Sequence, residues 1–402
     1  MAPRIYKKAA NSIARKKLTE EVNDDVENLD ATDLSKKKLN EKVDDDIEDI
    51  DYTFLQEDYN ELPPDDIIAY NELRSCADLF RMYKEKDLDI NPDFQRDEVW
   101  ADTQKTRFID SLIKKLPIPS MCFSLDYKTE KWQVIDGLQR ITSIIKFLET
   151  DNDWKLSRLD DIDERLRGKF VSEVKETDNG ILFTRLANLT IPITVLRCDY
   201  SKSQHTNYLF TIFHRLNTGG IRLTNQEIRN AIYNGKFNSL IKRMNHRPEW
   251  RKILGLADNK SYRLSKEELI LRFFSFYDNK DTYEGALSKF LNEYMARNRN
   301  PDNKWIELKT NLFNESVQLI YDKISDKKQL TKSSNVIIEA LLYGIAKNIN
   351  RLQNKTSLVL KRYFNNLIQD DNFSEVNIKE GLANKQKVLG RLNAAERIFS
   401  GQ

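Results

Sequence analysis

Apolar and polar positions along the chain change period several times, and each change predicts an element. In "SCADLFRMYKEKDL", from Ser75, apolar residues recur at helical spacing. "INPDFQRDEVW" (90–100) is turn-rich and extended. In "TQKTRFIDSLIKKL" Phe108, Leu112 and Leu116 repeat every four residues, and Asp102 is placed to cap that helix. "PIPSMCFSLDY" gives a strand from Met121. A turn at Lys128, Thr129 and Glu130 returns the chain into a second strand at Trp132–Ile135, so a hairpin is predicted, followed by a helix over 140–148. "ILFTRLANLTIPITVLRCDY" supplies one or two more strands. "SQHTNYLFTIFHRLN" reads as a helix closing at Thr218, Gly219 and Gly220. Thr224 and Glu227 form a capping box for the helix in "TNQEIRNAIYNG", with Gly235 as its stop. From about 236 to 395 the period is helical almost throughout, as in "KEELILRFFSFY" and "NVIIEALLYGIAKNI".

The first 66 residues follow a different pattern. "KKLTEEVNDDVENLD" starts at Lys16 and "KKLNEKVDDDIEDID" at Lys37, an internal repeat with a narrow apolar stripe and acidic flanks. Each copy is expected to be disordered or weakly helical alone, and Pro63-Pro64 ends the arm. From Glu20 to Asp66 there are nineteen Asp/Glu and four Lys, a charge of −15. The net charge is +2, so the rest of the chain carries +17. A basic body can attract nucleic acid, and the acidic arm can bind a basic partner or compete for that same body. A plain solubilising tail explains the arm equally well. The expected organisation is an acidic arm over 1–66, an α+β domain over 70–235 and a helical domain over 236–402.

Several function classes are excluded. No run of eighteen apolar residues exists, so no membrane span is expected. The basic N-terminus lacks an apolar stretch, and Cys76, Cys122 and Cys198 form no disulfide framework or zinc spacing, so a cytoplasmic protein is expected. There is no Gly-rich P-loop signature and no nucleophile elbow, and His205, His214 and His246 make no metal-like pair.

Three stretches can carry chemistry. In "VIDGLQR" a strand, a tight Asp-Gly turn and a helix present backbone N–H groups to an anion. Arg140 suits phosphate, Asp136 can ligate Mg²⁺ or a ribose, Gly137 makes the turn, and Gln139 can meet a base edge or orient water. The plain alternative is that Asp136 caps the helix and Arg140 pairs with it. In "NPDFQRDEVW" Arg96 and Trp100 lie four apart, a phosphate ligand beside a stacking ring, and Gln104 follows one turn into the next helix; a structural turn with Trp100 in the core explains the stretch as well. In "FHRLNTGGIRLTNQEIRNA" Arg215, Asn217, Arg222 and Arg229 surround the Gly219-Gly220 loop. A simple joint between two helices is the alternative.

Taken together and in this order, "FQRDEVW", Gln104, "PIP" at 117–119, "VIDGLQR" and "RLNTGGIRLTNQEIRNA" resemble the N-terminal-domain family of GmrSD-type (type IV) restriction enzymes, a relative of the ParB-like nuclease fold. The resemblance covers about residues 75–235. The family's D-G-Q-Q-R has Leu138 in place of its first Gln, while Asp136, Gly137, Gln139 and Arg140 are kept. The resemblance implies an α+β, ParB-like domain with a small mixed sheet and helices, followed by an all-helical C-terminal region. It implies nucleotide binding and hydrolysis at Asp136, Gln139 and Arg140, with Arg96, Trp100, Gln104, Gly137, Asn217 and Arg229 holding the nucleotide and Asp136 a Mg²⁺. It also implies defence against phage DNA. No His-x-x-Pro-like nuclease motif follows residue 236, so a separate cutting subunit is expected. The expected function is thus a nucleotide-dependent DNA-binding sensor with weak NTPase activity. Two rivals stand beside it: a metal-dependent DNase of ParB-like type, and a non-catalytic module that docks through the repeats of the arm.

Overall fold

A computed structural model describes residues 63–90, 100–149, 153–216, 224–256, 265–331, 334–374, 377 and 381–401. The acidic repeats, Arg96, Asn217, Gly219, Gly220 and Arg222, for which the sequence raises expectations, lie outside these residues. The fold begins with β1 (Ile68–Ser75), α1 (Cys76–Lys84) and β2 (Leu88–Asp89). Next come α2 (Asp102–Ile113), β3 (Met121–Asp126), β4 (Lys131–Asp136) and α3 (Leu138–Leu148). Then α4 (Val171–Glu176), α5 (Ile181–Asn188) and β5 (Thr190–Cys198) complete the α+β part.

The five strands form one mixed sheet in the order β1-β5-β3-β4-β2. The predicted hairpin is present, with β3 and β4 antiparallel and a register shift at Cys122/Phe123. β5 runs antiparallel to β1 and parallel to β3, and the two-residue β2 lies parallel to β4 at the edge. Alternation sorts the strands into two faces. Phe123, Leu125, Val134, Ile193 and Val195 join the apolar core with Leu79, Ile109, Ile141 and Ile144 of α1, α2 and α3. Ser124 and Gln133 point the other way, where Gln133 Nε2 donates to the carbonyl of Ala231. The sheet is therefore covered on both faces.

Two local expectations change. Residues 181–188 are helix, not strand: Gly180 starts the turn with φ 76°, and Leu182 and Leu186, four apart, are both fully buried. A short apolar run fits either period, and packing decides it. The N-cap of α2 is Ala101 rather than Asp102, whose carboxylate instead pairs with Lys146 at 3.0 Å.

The chain continues as helices: α6 (Ser203–Leu216), α7 (Asn225–Ile232), α8 (Lys236–Asn245), α9 (Pro248–Ile253) and α10 (Ser265–Asn279). After them come α11 (Leu287–Arg297), α12 (Asn303–Lys323), α13 (Asn335–Lys347), α14 (Ile349–Leu352), α15 (Ser357–Gln369) and α16 (Lys385–Ser400). The capping box opens α7 as predicted, with the Glu227 amide donating to Thr224 Oγ1 and Glu227 receiving the Thr224 N–H. Gly235 belongs to the start of α8 rather than the end of α7. The carbonyl of Arg299 comes within 2.5 Å of where a Cβ would sit, so no larger residue fits there. α13 is buried on all sides from Val336 to Ala346, which makes it the central helix of this part. Both parts belong to one compact unit, Thr53–Gln402. Among the described residues no helix is long and apolar enough to cross a membrane.

Candidate functional site

The corner between β4 and α3 is built on Gly137. Its φ of 97° lies in the left-handed region, and an added Cβ would stand 2.6 Å from Met121 Cγ. The glycine lets the chain turn tightly against β3 and start α3 at once. Asp136 does not cap this helix: Gly137 holds the N-cap position and no side chain bonds there. The Asp136 carboxylate instead pairs with Arg140 Nη2 at 2.6 Å. Arg140 also donates to the carbonyl of Pro119, and at 3.5 Å to that of Ser120. The Asp-Gly-Leu-Gln-Arg stretch thus ties its own strand and helix to the Pro-Ile-Pro loop. Leu138, the position that departs from the family pattern, packs partly buried against the core.

Gln139 faces a different surface. A cleft of about 630 Å³ runs beside it, lined by Lys105, Lys146 and Lys155, by the carboxylates of Glu149 and Asp153, and by Tyr83 and Trp154. Asp136 and Arg140 are not among its lining residues. Successive helix positions point about 100° apart, which is why neighbours in one motif serve different surfaces. Gln139 Oε1 accepts the backbone N–H of Trp100 at 3.3 Å, and its amide nitrogen makes no hydrogen bond among the described residues. Trp154 is buried, carries Lys146 over its ring at 4.9 Å, and its Nε1–H has no hydrogen-bond partner among the described residues. Buried donors are usually satisfied; Trp250 Nε1 shares this state, but Trp154 is the one that lines the cleft.

The other expected residues have visible duties. The Trp100 ring meets Phe108 edge-on at 5.6 Å and packs against the core. Gln104 Oε1 accepts the N–H of Ala101 at 3.0 Å and closes the start of α2. Arg229 is fully buried. It bonds Asn292 at 2.9 Å, Glu268 at 2.8 Å and Ser288 at 3.1 Å, and lies over the Phe210 ring. No face of its guanidinium is left for a nucleotide, because α7, α10, α11 and α6 close around it. Arg215 ends α6.

The three lysines of the cleft escape sequence reasoning because they come from α2, α3 and the segment after residue 152, with no shared spacing. Among the described residues no three His, Cys, Asp or Glu group as a metal site. All three cysteines are buried, and burial pushes each thiol up to about 12, so none is a thiolate nucleophile.

No curated protein and no solved structure matches the chain. Residues 76–234 match the family model described as GmrSD restriction endonuclease, N-terminal domain, and that stretch holds both the Asp136–Arg140 corner and the lysine-lined cleft. The resemblance drawn from the motifs therefore stands: this part of the chain is similar to a GmrSD-type N-terminal domain.

Proposed function

We propose that this protein serves restriction-like antiphage defence as a nucleotide-dependent, DNA-binding sensor with weak NTPase activity, and that it holds a nucleoside triphosphate in the cleft beside Gln139. One observation supports the placement: three lysines outnumber the two carboxylates, Glu149 and Asp153, in a cleft that also presents two donors without partners among the described residues, the Gln139 amide and the Trp154 indole. Lysines are point charges suited to phosphate oxygens, and a polar ligand would satisfy the two donors at once. Trp154 and Tyr83 offer aromatic surface to a base or ribose. In this reading Asp136 and Arg140 act as positioning residues that fix the start of α3 and hence Gln139. The matched domain supports the defence setting. The +17 carried outside residues 20–66 supports DNA contact through phosphates, with affinity falling steeply in salt.

Mg²⁺ normally reaches such sites with the phosphates and needs only one or two carboxylates. Asp136, the carboxylate expected for it, is engaged by Arg140 and stands outside the cleft lining. As arranged, it does not fit a metal beside the triphosphate; the carboxylates that do line the cleft are Glu149, which pairs with Lys84, and Asp153, which accepts from Ser172 at 2.7 Å.

The test is phosphate release from each NTP with Mg²⁺, with and without duplex DNA. Wild type should release phosphate, and Gln139→Ala and Lys155→Ala should each lower release about tenfold at sub-saturating nucleotide, equivalent to ~1.4 kcal/mol of binding. Release unchanged in both variants removes the cleft from the reaction.

A further inference from the structure

A second cavity, of about 690 Å³, lies at the β2 edge of the sheet and falls in the size range of small-molecule sites. Its walls come from both parts of the molecule. Tyr83, Trp132 and Gln133 belong to the α+β part, and Asn234, Arg299 and Asn300 to the helical part. Such junctions are preferred ligand sites because each part supplies different chemistry.

The floor is polar, buried and fixed. Gln133, 6% exposed, donates through Nε2 to the Ala231 carbonyl and accepts the Tyr200 hydroxyl at 2.9 Å. Tyr200 also meets Ser124. Asp126, on the same wall, accepts Thr129 Oγ1 at 2.7 Å. Satisfied networks of this kind hold their members in place before a ligand arrives.

Two of the three cations in the lining are already engaged. Lys131 is paired with Asp87 at 2.8 Å. Arg299 Nε donates to the carbonyl of Asn234 at 2.8 Å, and its guanidinium lies over the Tyr200 ring at 5.5 Å. Asp89 and Asp126 add negative charge to the lining. Lys86 is the third cation, so charge alone does not set this cavity apart from the first cleft, and the distinction lies in its aromatic and amide side chains. An uncharged planar ring would meet Tyr83 and the face of Trp132 opposite Arg74, which lies 4.6 Å from that ring. At the rim Asn234 Nδ2 donates to Asp89 at 3.4 Å and Asn300 Oδ1 accepts the Lys236 N–H at 3.2 Å, so the Asn234 side-chain oxygen and the Asn300 side-chain nitrogen are the groups to read its edge.

We propose that this cavity binds a nucleobase, held by aromatic surface from Tyr83 and Trp132 and read along its edge by Asn234 and Asn300. The base is either that of a free nucleoside or one extruded from a DNA strand. Enzymes that read extruded bases use this combination of stacking walls and amide edges. The inference goes beyond the triphosphate cleft and does not depend on it. A base here would touch both parts of the molecule, so occupancy would be felt by the sheet and the helices together.

The test uses the full chain and probes that carry no triphosphate. The four deoxynucleosides are titrated by saturation-transfer NMR. A duplex with one unpaired 2-aminopurine is compared with its fully paired counterpart by fluorescence. Each is repeated with Asn234→Leu and Asn300→Leu, whose folding is checked by thermal unfolding, so that either rim variant can serve if the other misfolds. Saturable binding of a nucleoside supports a free base as the ligand. A fluorescence change confined to the unpaired duplex supports an extruded one. In both cases the folded rim variants should bind at least tenfold more weakly. Absence of binding by every probe, or binding undiminished in the folded variants, overturns the proposal.

Discussion

Asp136–Arg140 and Arg229–Glu268 are the same chemistry in two settings. The first lies at the β4–α3 corner, with Asp136 36% and Arg140 15% exposed at their side chains. It ties a loop to a helix start and keeps contact with water. The second is sealed between α7, α10 and α11, with Arg229 1% and Glu268 10% exposed, and continues through Arg272 to Glu339. Both pairs carry an arginine that the family pattern picks out. The difference teaches that an arginine in a motif can be a fastener as readily as a ligand, and that burial of its partners tells which.

Breaking one partner is the sharpest way to separate the pairs. Glu268→Ala leaves Arg229 buried without its carboxylate and should cost about 3–5 kcal/mol, read from urea unfolding. Replacing both residues by apolar ones, Arg229→Met with Glu268→Leu, should cost less than the single change, because the uncompensated charge is gone. A single variant as stable as wild type would contradict the buried-fastener reading. Next in size is Gly137→Ala. The left-handed backbone alone costs about 1–2 kcal/mol, and the contact with Met121 adds to it. A loss below that range would mean that the corner relaxes freely.

Smaller again is Asp136→Ala, which should cost about 1 kcal/mol or less by the same urea measurement, because water screens this pair. A loss as large as that of Glu268→Ala would erase the distinction between the two settings. A further effect is one of pH. Arg165 holds the Asp163 carboxyl down at about 2, chiefly through their side-chain hydrogen bond. A depressed folded value stabilises above the unfolded carboxylate value near ~4 and loses that contribution as pH falls through about 2. Between those limits wild type should lose stability more steeply than Asp163→Asn. Parallel slopes would show that this turn makes no such contribution.

Much of the fold was legible because local and global signals agree. The hairpin, the helix opened by Ser75 and the Thr224–Glu227 box each have a period and a boundary residue that packing did not override, although that first helix stops at Lys84 and Leu88 begins β2. Residues 181–188 were not legible as helix, since one short apolar run serves both periods until Leu182 and Leu186 find the core. The site was legible in part. The motif drew attention to Gln139, which does line a cleft, but it could not show that Arg140 faces the Pro119–Ser120 carbonyls instead. Nor could it show Lys105, Lys146 and Lys155 converging, because only tertiary packing brings α2, α3 and the following segment together. The tail of the pattern has structural work: Glu227 caps α7, Arg229 locks it, and the Ala231 carbonyl receives Gln133.

The central claim is that the lysine-lined cleft, rather than the Asp-Gly corner, holds the triphosphate. Calorimetric titration of the full chain with a non-hydrolysable triphosphate tests it directly, comparing Lys155→Ala and Gln139→Ala with Arg140→Ala. The account predicts that each cleft variant weakens binding about tenfold or more, ~1.4 kcal/mol, and that Arg140→Ala, acting through position alone, weakens it less. Cleft variants that bind like wild type, with binding abolished only by Arg140→Ala, would contradict it and return the site to the corner.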